Sequence, residues 1–595
     1  MGVLVVVSAA GFSDAGVIHV RAGLATGANN GASWGDAYRG RLGLVAALAA
    51  AGPGDQVWVA AGEYAPAAAG GSRMASFMLE DGVEILGGFA GHETSADQRD
   101  PFINFTTLTG DLNENDTGPE SNTCDNAAHV VRSVGRDATA VIDGFVIEGG
   151  YAADCGSMNV VDREEGAGML IEGGGPTVRR CFFLMNVASW TGGGLCVDGA
   201  APVLAGCEFD RNKCYAWGAG AATINAASAT FESCIFIENS GNQGPGLHAG
   251  ARFGEPVSDG GTVAVLGCWF FSNVGEIGAA NGGAMNVSWC SANVDNCLIA
   301  NNYANGGGGI FVDGGSLVAV NTAFAGNLAN GDLGDAVYLL EGSASLSGCT
   351  VTGHLRRDNQ GDASAFIVRG AMDVDNCTIA RNGGADTGAD WGAGVFVMQM
   401  EGDLKVRNSI IWDNRTFNGG GQQAVVTFAG GGTARFDNSC VQGWNGSLTG
   451  TGSFNANPLL ADVDGNDNQV GTTDDNVRLV GGSPCIDRGN NLIVAVHGPT
   501  DMDGSDRFIN DVAAADTGTG GGPGGCAIID VGAFEYPDSA ACPADVDCSG
   551  FVDTEDFDRF VLLFEAGDPA ADFDLSGFVD TDDFDRFVES FEAGC

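Results

Sequence analysis

A six-residue pattern recurs through the middle of this chain and limits what it can fold into. Cys181-Phe-Phe-Leu-Met-Asn186 is followed by Cys207-Glu-Phe-Asp-Arg-Asn212, Cys234-Ile-Phe-Ile-Glu-Asn239 and Cys268-Trp-Phe-Phe-Ser-Asn273. Further copies begin at Cys297, Thr322, Cys349, Cys377, Ser409 and Cys440, and Gly144-Phe-Val-Ile-Glu-Gly149 is a degenerate forerunner. First positions are spaced by 37, 26, 27, 34, 29, 25, 27, 28, 32 and 31 residues. Each unit also carries a Gly-rich turn leading into a short alternating strand, as in Gly192-Gly-Gly-Leu-Cys-Val197 and Gly307-Gly-Gly-Ile-Phe-Val312, and a third short strand such as Ser316-Leu-Val-Ala-Val320. Period-2 alternation between Gly and Asn turns marks strands, and a unit of this length has no room for a crossover helix. Three short strands that return beside themselves every ~27 residues make one coil of a parallel β-solenoid.

Stacking accounts for the residue choices. Equivalent positions in adjacent coils lie about 4.8 Å apart, so the Cys and the Phe, Ile or Val two residues later stack inward as a continuous core. The Asn five residues after each Cys is expected at a corner, in left-handed geometry, as a hydrogen-bonded ladder. His354 replaces one of these Asn. The repeats resemble those of polymorphic outer-membrane protein passenger domains and, more broadly, the right-handed parallel β-helix or pectin-lyase-like superfamily, over residues 17–536. That resemblance implies a helix plugging the N-terminal end of the core, here the Ala/Leu-rich stretch 38–51. It implies no activity, because such a scaffold carries lyases, hydrolases, adhesins and stalks alike.

The 18 Cys are too few for a disulfide scaffold. Those of the repeat read as small core residues equivalent to Thr322 and Ser409. Cys155, Cys196 and Cys214 lie off the ladder and are the better disulfide candidates, and Cys542 with Cys595 would form a clasp around the C-terminal segment.

That segment is acidic, with 16 acidic and 2 basic residues from position 541 onward, and it is duplicated with a period of 27. Asp545, Asp547, Ser549, Phe551, Asp553 and Asp556 in the first copy match Asp572, Asp574, Ser576, Phe578, Asp580 and Asp583 in the second. Side-chain oxygens at loop positions 1, 3, 5, 9 and 12, a backbone carbonyl at 7 (Phe551, Phe578) and Gly at 6 follow the EF-hand ligand order, so Ca²⁺ is the expected cofactor. Each loop leads into an amphipathic helix, 554–565 and 581–592. One helix per loop, Asp at position 12 and a tandem of two resemble a dockerin module. The resemblance implies docking onto a cohesin-like receptor through Thr554, Glu555, Thr581 and Asp582. A second acidic stretch, with Asp462, Asp464 and Asp467, is a further candidate for metal, although Asp-x-Asp-Gly is also ordinary turn chemistry.

No catalytic constellation emerges: the six His are scattered, and the compact charged groups Asp162-Arg163-Glu164-Glu165, Arg179-Arg180 and Arg356-Arg357-Asp358 read as solvated turns. A net charge of −50 argues against nucleic acid and anionic surfaces as partners. Trp190, Trp217 and Trp391 stand just before the Gly-rich strands, with Tyr215 beside Trp217, and are the candidate carbohydrate-binding residues. No apolar run is long enough to span a bilayer, while residues 2–12 resemble a signal-peptide core without its basic flank.

The chain is therefore read as all-β: a right-handed parallel β-helix with an N-terminal capping helix and a small C-terminal helical, EF-hand-like (dockerin-type) domain. Its expected segments are a signal-like remnant (1–16), cap and first coils (17–143), repeats (144–455), C-terminal coils with Asp-rich loops (456–536), a linker (537–544) and the calcium-binding module (545–595). The expected function is that of an exported or cell-surface, extracytoplasmic bacterial protein binding a polysaccharide, surface glycan or another surface ligand, and tethered through its calcium-binding dockerin-like tail. The alternatives are a polysaccharide lyase or glycoside hydrolase, and a structural stalk.

Overall fold

A computed structural model describes residues 16–593 except 119, 156–162, 252–259, 277–279, 331–333, 355–364, 384–394, 415–425, 429–430, 495–499, 510, 512–513, 521–526, 537–543, 547–551, 568–570 and 574–577. The signal-like stretch, the Arg356 group, Cys542 and Cys595 lie outside the described residues. The chain forms two compact units, Met1–Ile235 and Phe236–Cys595.

In the first unit the coils from Tyr151–Ala152 onward run through four strand positions rather than the three expected. After the Gly-rich turn, Met169–Gly174 pairs in parallel with Leu195–Asp198, which pairs with Ala221–Ile224. The second position stacks Thr177–Arg179, Val203–Ala205 and Thr230–Glu232. The third, led by the ladder Cys, stacks Val146–Glu148, Phe182–Leu184 and Glu208–Asp210. The fourth is a short strand just after the ladder Asn, Val187–Ala188 against Lys213–Trp217. It is too short for a periodicity to show in the sequence. The N-terminal helix is six residues long, Gly43–Leu48, and buries Leu44 and Ala47; Tyr38–Arg39, expected to be helical, forms a strand beside Val17–Arg21.

The second unit repeats the scheme in register from Leu247–Gly250 through Met285–Ser288, Ile310–Asp313, Val337–Leu339 and Phe366–Val368 to Phe396–Met398. The last described parallel strand of the Cys-led face is Cys440–Val441. The region expected to continue as coils instead contains an antiparallel pair, Leu460–Asp462 with Asn476–Leu479, amid irregular chain.

The corners are single-residue turns in the left-handed region, and they sit one residue earlier than expected. Met185, Arg211, Glu238, Ser272, Asn301 and Arg381 have φ between 49° and 56°, and each directly precedes a ladder Asn. The Asn itself turns inward and is buried. Asn302 Oδ1 accepts from both the backbone N–H of Asn273 at 3.0 Å and its Nδ2 at 2.9 Å, while Asn302 Nδ2 donates to Asn327 Oδ1 at 2.9 Å and to the carbonyl of Phe270 at 2.9 Å. His354 continues the ladder: its Nδ1 lies 2.9 Å from Asn382 Oδ1 and its Nε2 3.4 Å from Asn327 Nδ2. A second series of left-handed residues, including Arg180, Ser233, Asn296, Asn376, Asn408 and Asn438, precedes the Cys position. Ring stacking of Phe183 on Phe209 (4.7 Å) and of Phe236 on Phe270 (4.5 Å) fills the interior.

Two repeat assignments shift by one residue. Ile410 pairs with Cys440, so Ser439, not Cys440, occupies the ladder, where its Oγ accepts from Ser409 N at 3.1 Å. Asn445 is exposed and outside the ladder. Likewise Val146 pairs with Phe182, which places Phe145 rather than Gly144 at the Cys position. The disulfide joins Cys155 to Cys124, whereas Cys196 and Cys214 are core residues packed with Leu170 and Ile224 and with Ala188 and Ala219 respectively.

Candidate functional site

The aromatic candidates converge in the first unit. The bridge of Thr191 to Trp217 puts successive coils in register just ahead of the Gly-rich strand, and Trp217 N donates to the carbonyl of Trp190 at 2.9 Å. Register therefore stacks the two indoles, with centroids 5.7 Å apart and planes 19° from parallel. Trp190 is 53% exposed and Tyr215 43% exposed while Trp217 is half-buried, so Trp190 and Tyr215 form the open part of the ledge. Lys213 Nζ sits 4.9 Å over the Tyr215 ring and 2.9 Å from Glu120, whose carboxylate also accepts from the Tyr215 hydroxyl. Burial together with that carboxylate pushes the Tyr215 phenol up to about 12, so it donates throughout the physiological range. Trp391 lies outside the described residues.

Glu120 belongs to a loop that builds an acidic cleft, which sequence reasoning missed. The cleft, about 410 Å³, is lined by Glu63, Asp111, Glu114, Asp116, Asn126 and Glu148, among others. The loop takes its shape from Asp111, whose carboxylate accepts from the backbone N–H groups of Asn113 (3.1 Å), Asn115 (3.2 Å) and Asp116 (3.0 Å). The Asn115 amide donates to Asp125 at 3.1 Å, and Cys124, next to Asp125, is held by the disulfide to Cys155. Arg41 neutralises part of the rim through Glu63 (2.6 Å) and Glu114 (3.3 Å). Burial, reinforced by Asp111 and Asp125 against the Asn126 hydrogen bond, raises the Asp116 carboxyl to about 6. Burial and Glu63 also raise Glu148. The density of Asp and Asn between 111 and 126 was the available signal, but Glu63 and Glu148 come from other coils.

The remaining charged groups are structural. Arg180 grips the buried Asp143 through two hydrogen bonds of 2.9 and 2.7 Å, and Arg99 adds a third contact at 2.8 Å. Burial alone would raise the Asp143 carboxyl, but the two guanidinium groups hold it below its ordinary value. Arg163 joins Glu165, Glu172 and Asp198 across neighbouring strands. Arg180 does stand at a partly exposed turn, as expected, but both groups are tied into ion pairs rather than merely solvated. Asp462, Asp464 and Asp467 serve separate purposes: Asp462 is exposed on a strand, Asp464 faces Arg381 at 3.5 Å, and Asp467 accepts from Gln469 N at 2.8 Å within its own turn. Among the described residues, no group of three or more His, Cys, Asp or Glu side chains has metal-binding geometry.

In the C-terminal segment the two helices are Thr554–Ala566 and Thr581–Ala593. Their starts are equivalent. Asp553 caps the first by accepting from Glu555 N at 2.8 Å while Asp556 accepts from Asp553 N at 2.8 Å, and Asp580 and Asp583 repeat both bonds. Asp556 and Asp583 are fully buried, and Phe560 and Phe587 stack at 3.9 Å between the helices. Thr554, Glu555, Thr581 and Asp582 are exposed in the two first turns. Asp545 and Asp572, at position 1 of each loop, are half-buried and buried respectively, and Phe578 is exposed; Asp547, Ser549, Phe551, Asp574 and Ser576 lie outside the described residues.

A family model described as "Right handed beta helix region" matches residues 124–299. The solved structure titled "Crystal structure of pectate lyase Pel9A" is similar at 15% identity and a TM-score of 0.34, covering 89% of this chain and 98% of that one. No curated protein matches the chain. No helix among the described residues is long and apolar enough to cross a membrane. The parallel faces stacked coil on coil make this fold a parallel β-helix, and the family match identifies residues 124–299 as similar to a right-handed one.

Proposed function

We propose that this protein is an exported, surface-held β-helix that binds a neutral glycan on the Trp190–Trp217 ledge and is tethered by its C-terminal module. The observation that carries the reading is the open, near-parallel indole stack. The exposed Trp190 indole, held against Trp217 by backbone register, offers a preorganised platform with little conformational entropy left to lose on binding. The adjoining cleft is rich in acceptors, which suits the hydroxyl donors of a sugar, and its carboxylates disfavour uronates. In the tail, the duplicated loop order supports two Ca²⁺ sites using the Asp545–Asp556 and Asp572–Asp583 loops. The exposed Thr554, Glu555, Thr581 and Asp582 are the surface proposed to meet a cohesin-like receptor. Helix capping by Asp553 and Asp580 is compatible with these roles.

A second reading is a carbohydrate-active enzyme, either a glycoside hydrolase or a polysaccharide lyase. It is favoured by two carboxyls raised in one cleft, Asp116 to about 6 and Glu148 above its ordinary value, because a general acid must hold its proton near neutral pH. Incubation with neutral and acidic polysaccharides, following retention and product size together, separates the readings. Retention of neutral polymers without shortening supports the binder; new short products establish the enzyme; neither result leaves a structural stalk.

A further inference from the structure

Asn126 is fully buried in the wall of the acidic cleft, and its amide is oriented unambiguously. Its Nδ2 donates to Asp116 Oδ2 at 2.7 Å and to the carbonyl of Gly149 at 2.8 Å. Exchanging O for N would set an acceptor against two acceptors. Asn126 Oδ1 is thereby fixed as the other terminus, and it has no hydrogen-bond donor; neither has the buried Asp116 Oδ1 beside it. An orphaned buried acceptor is costly, because it has given up water without gaining a partner. A carboxylate can relieve that cost by taking a proton, but an amide oxygen cannot. Arg41 is engaged with Glu63 and Glu114, and the Asn113 and Asn115 amides are engaged with Asp125.

We infer that the cleft holds one hard divalent cation, Ca²⁺, between Asp116 Oδ1 and Asn126 Oδ1. Carboxylate and amide oxygens are the ligands such a hard ion takes, and Ca²⁺ accepts them in looser geometry than the strict octahedron of Mg²⁺. Both ligands belong to the segment whose end is tied down by the Cys124–Cys155 disulfide, so the site is preformed. It is separate from the C-terminal loops, and it stands or falls independently of the glycan reading, because the metal is counted without any sugar present.

The test uses the full chain with Asp556→Asn and Asp583→Asn, which weaken the tail loops, and ⁴⁵Ca²⁺ equilibrium dialysis. One high-affinity Ca²⁺ should remain per chain, weakened at least tenfold by a further Asp116→Asn or Asn126→Ala. Asp116→Asn leaves the Asn126 hydrogen bond an acceptor, so it keeps the test valid should Asn126→Ala disturb the loop. In the unaltered chain, Ca²⁺ should slow proteolytic cleavage mapped to residues 111–126. Absence of the remaining ion, an affinity unchanged within twofold in Asp116→Asn, or cleavage of this loop indifferent to Ca²⁺ overturns the inference.

Discussion

Replacing His354 by Asn should remove a large part of the acid sensitivity of this fold. The imidazole is fully buried within the Asn ladder, where Nδ1–H donates to Asn382 Oδ1 and Nε2 accepts from Asn327 Nδ2. A second ring proton would face the Asn327 amide hydrogens, and burial opposes the charge, so the group is lowered from 6.5 to about 4. In the unfolded chain it takes up a proton below about 6.5; in the folded chain it does not do so until about 4. The unfolded state therefore binds more protons between those values, and the stability present above pH 6.5 is lost as pH falls through this window. At 1.36 kcal/mol per pH unit, the loss between pH 7 and pH 4 is roughly 3 kcal/mol. Asn does not titrate, so His354→Asn should stay within about 1 kcal/mol of the natural chain at pH 7 and exceed it by roughly 3 kcal/mol at pH 4. Urea denaturation of both proteins at pH 7, 5.5 and 4 measures the difference. Carboxyls elsewhere, such as Asp487, which burial raises to about 8, titrate alike in both and cancel. Parallel losses in the two proteins would refute the reasoning.

Other perturbations follow from the same contacts. Asn302→Leu fills the corner with carbon but leaves Asn273 N and Nδ2 without their shared acceptor, which should cost about 2–4 kcal/mol in denaturant unfolding. Arg180→Met removes two of the bonds to buried Asp143 and should lower the melting temperature by several degrees at pH 7, with the difference shrinking only where acid protonates that carboxyl, below its ordinary range. In the full chain, Asp556→Asn with Asp583→Asn should reduce the Ca²⁺ bound per molecule by two, measured by equilibrium dialysis; an unchanged count would remove the tail as a calcium module.

Much of the solenoid was legible because its core repeats by residue type: a small side chain, an aromatic or branched one, then an inward Asn. The errors arose where residue identity misled about register. Cys440 looked like a ladder cysteine, yet the preceding pair, Asn438-Ser439, carries the left-handed turn residue and then the ladder position, as Asn408-Ser409 and Asn376-Cys377 do. The turn residue was the truer marker, because left-handed geometry restricts that position more than the core restricts the next. Trp190 and Trp217 were found because their spacing follows the repeat. The cleft was not, because Glu63, Asp116, Asn126 and Glu148 come from different coils and a loop, and no period connects them.

The central claim is that the indole ledge binds glycan, and calorimetric titration with a soluble neutral oligosaccharide tests it most directly. The natural chain is set against Trp190→Ala and Trp217→Ala, each checked for unchanged circular dichroism. Loss of either stacked ring should weaken binding by about 2 kcal/mol, roughly thirtyfold, as for an aromatic anchor. Saccharide affinity equal in all three proteins would contradict the account.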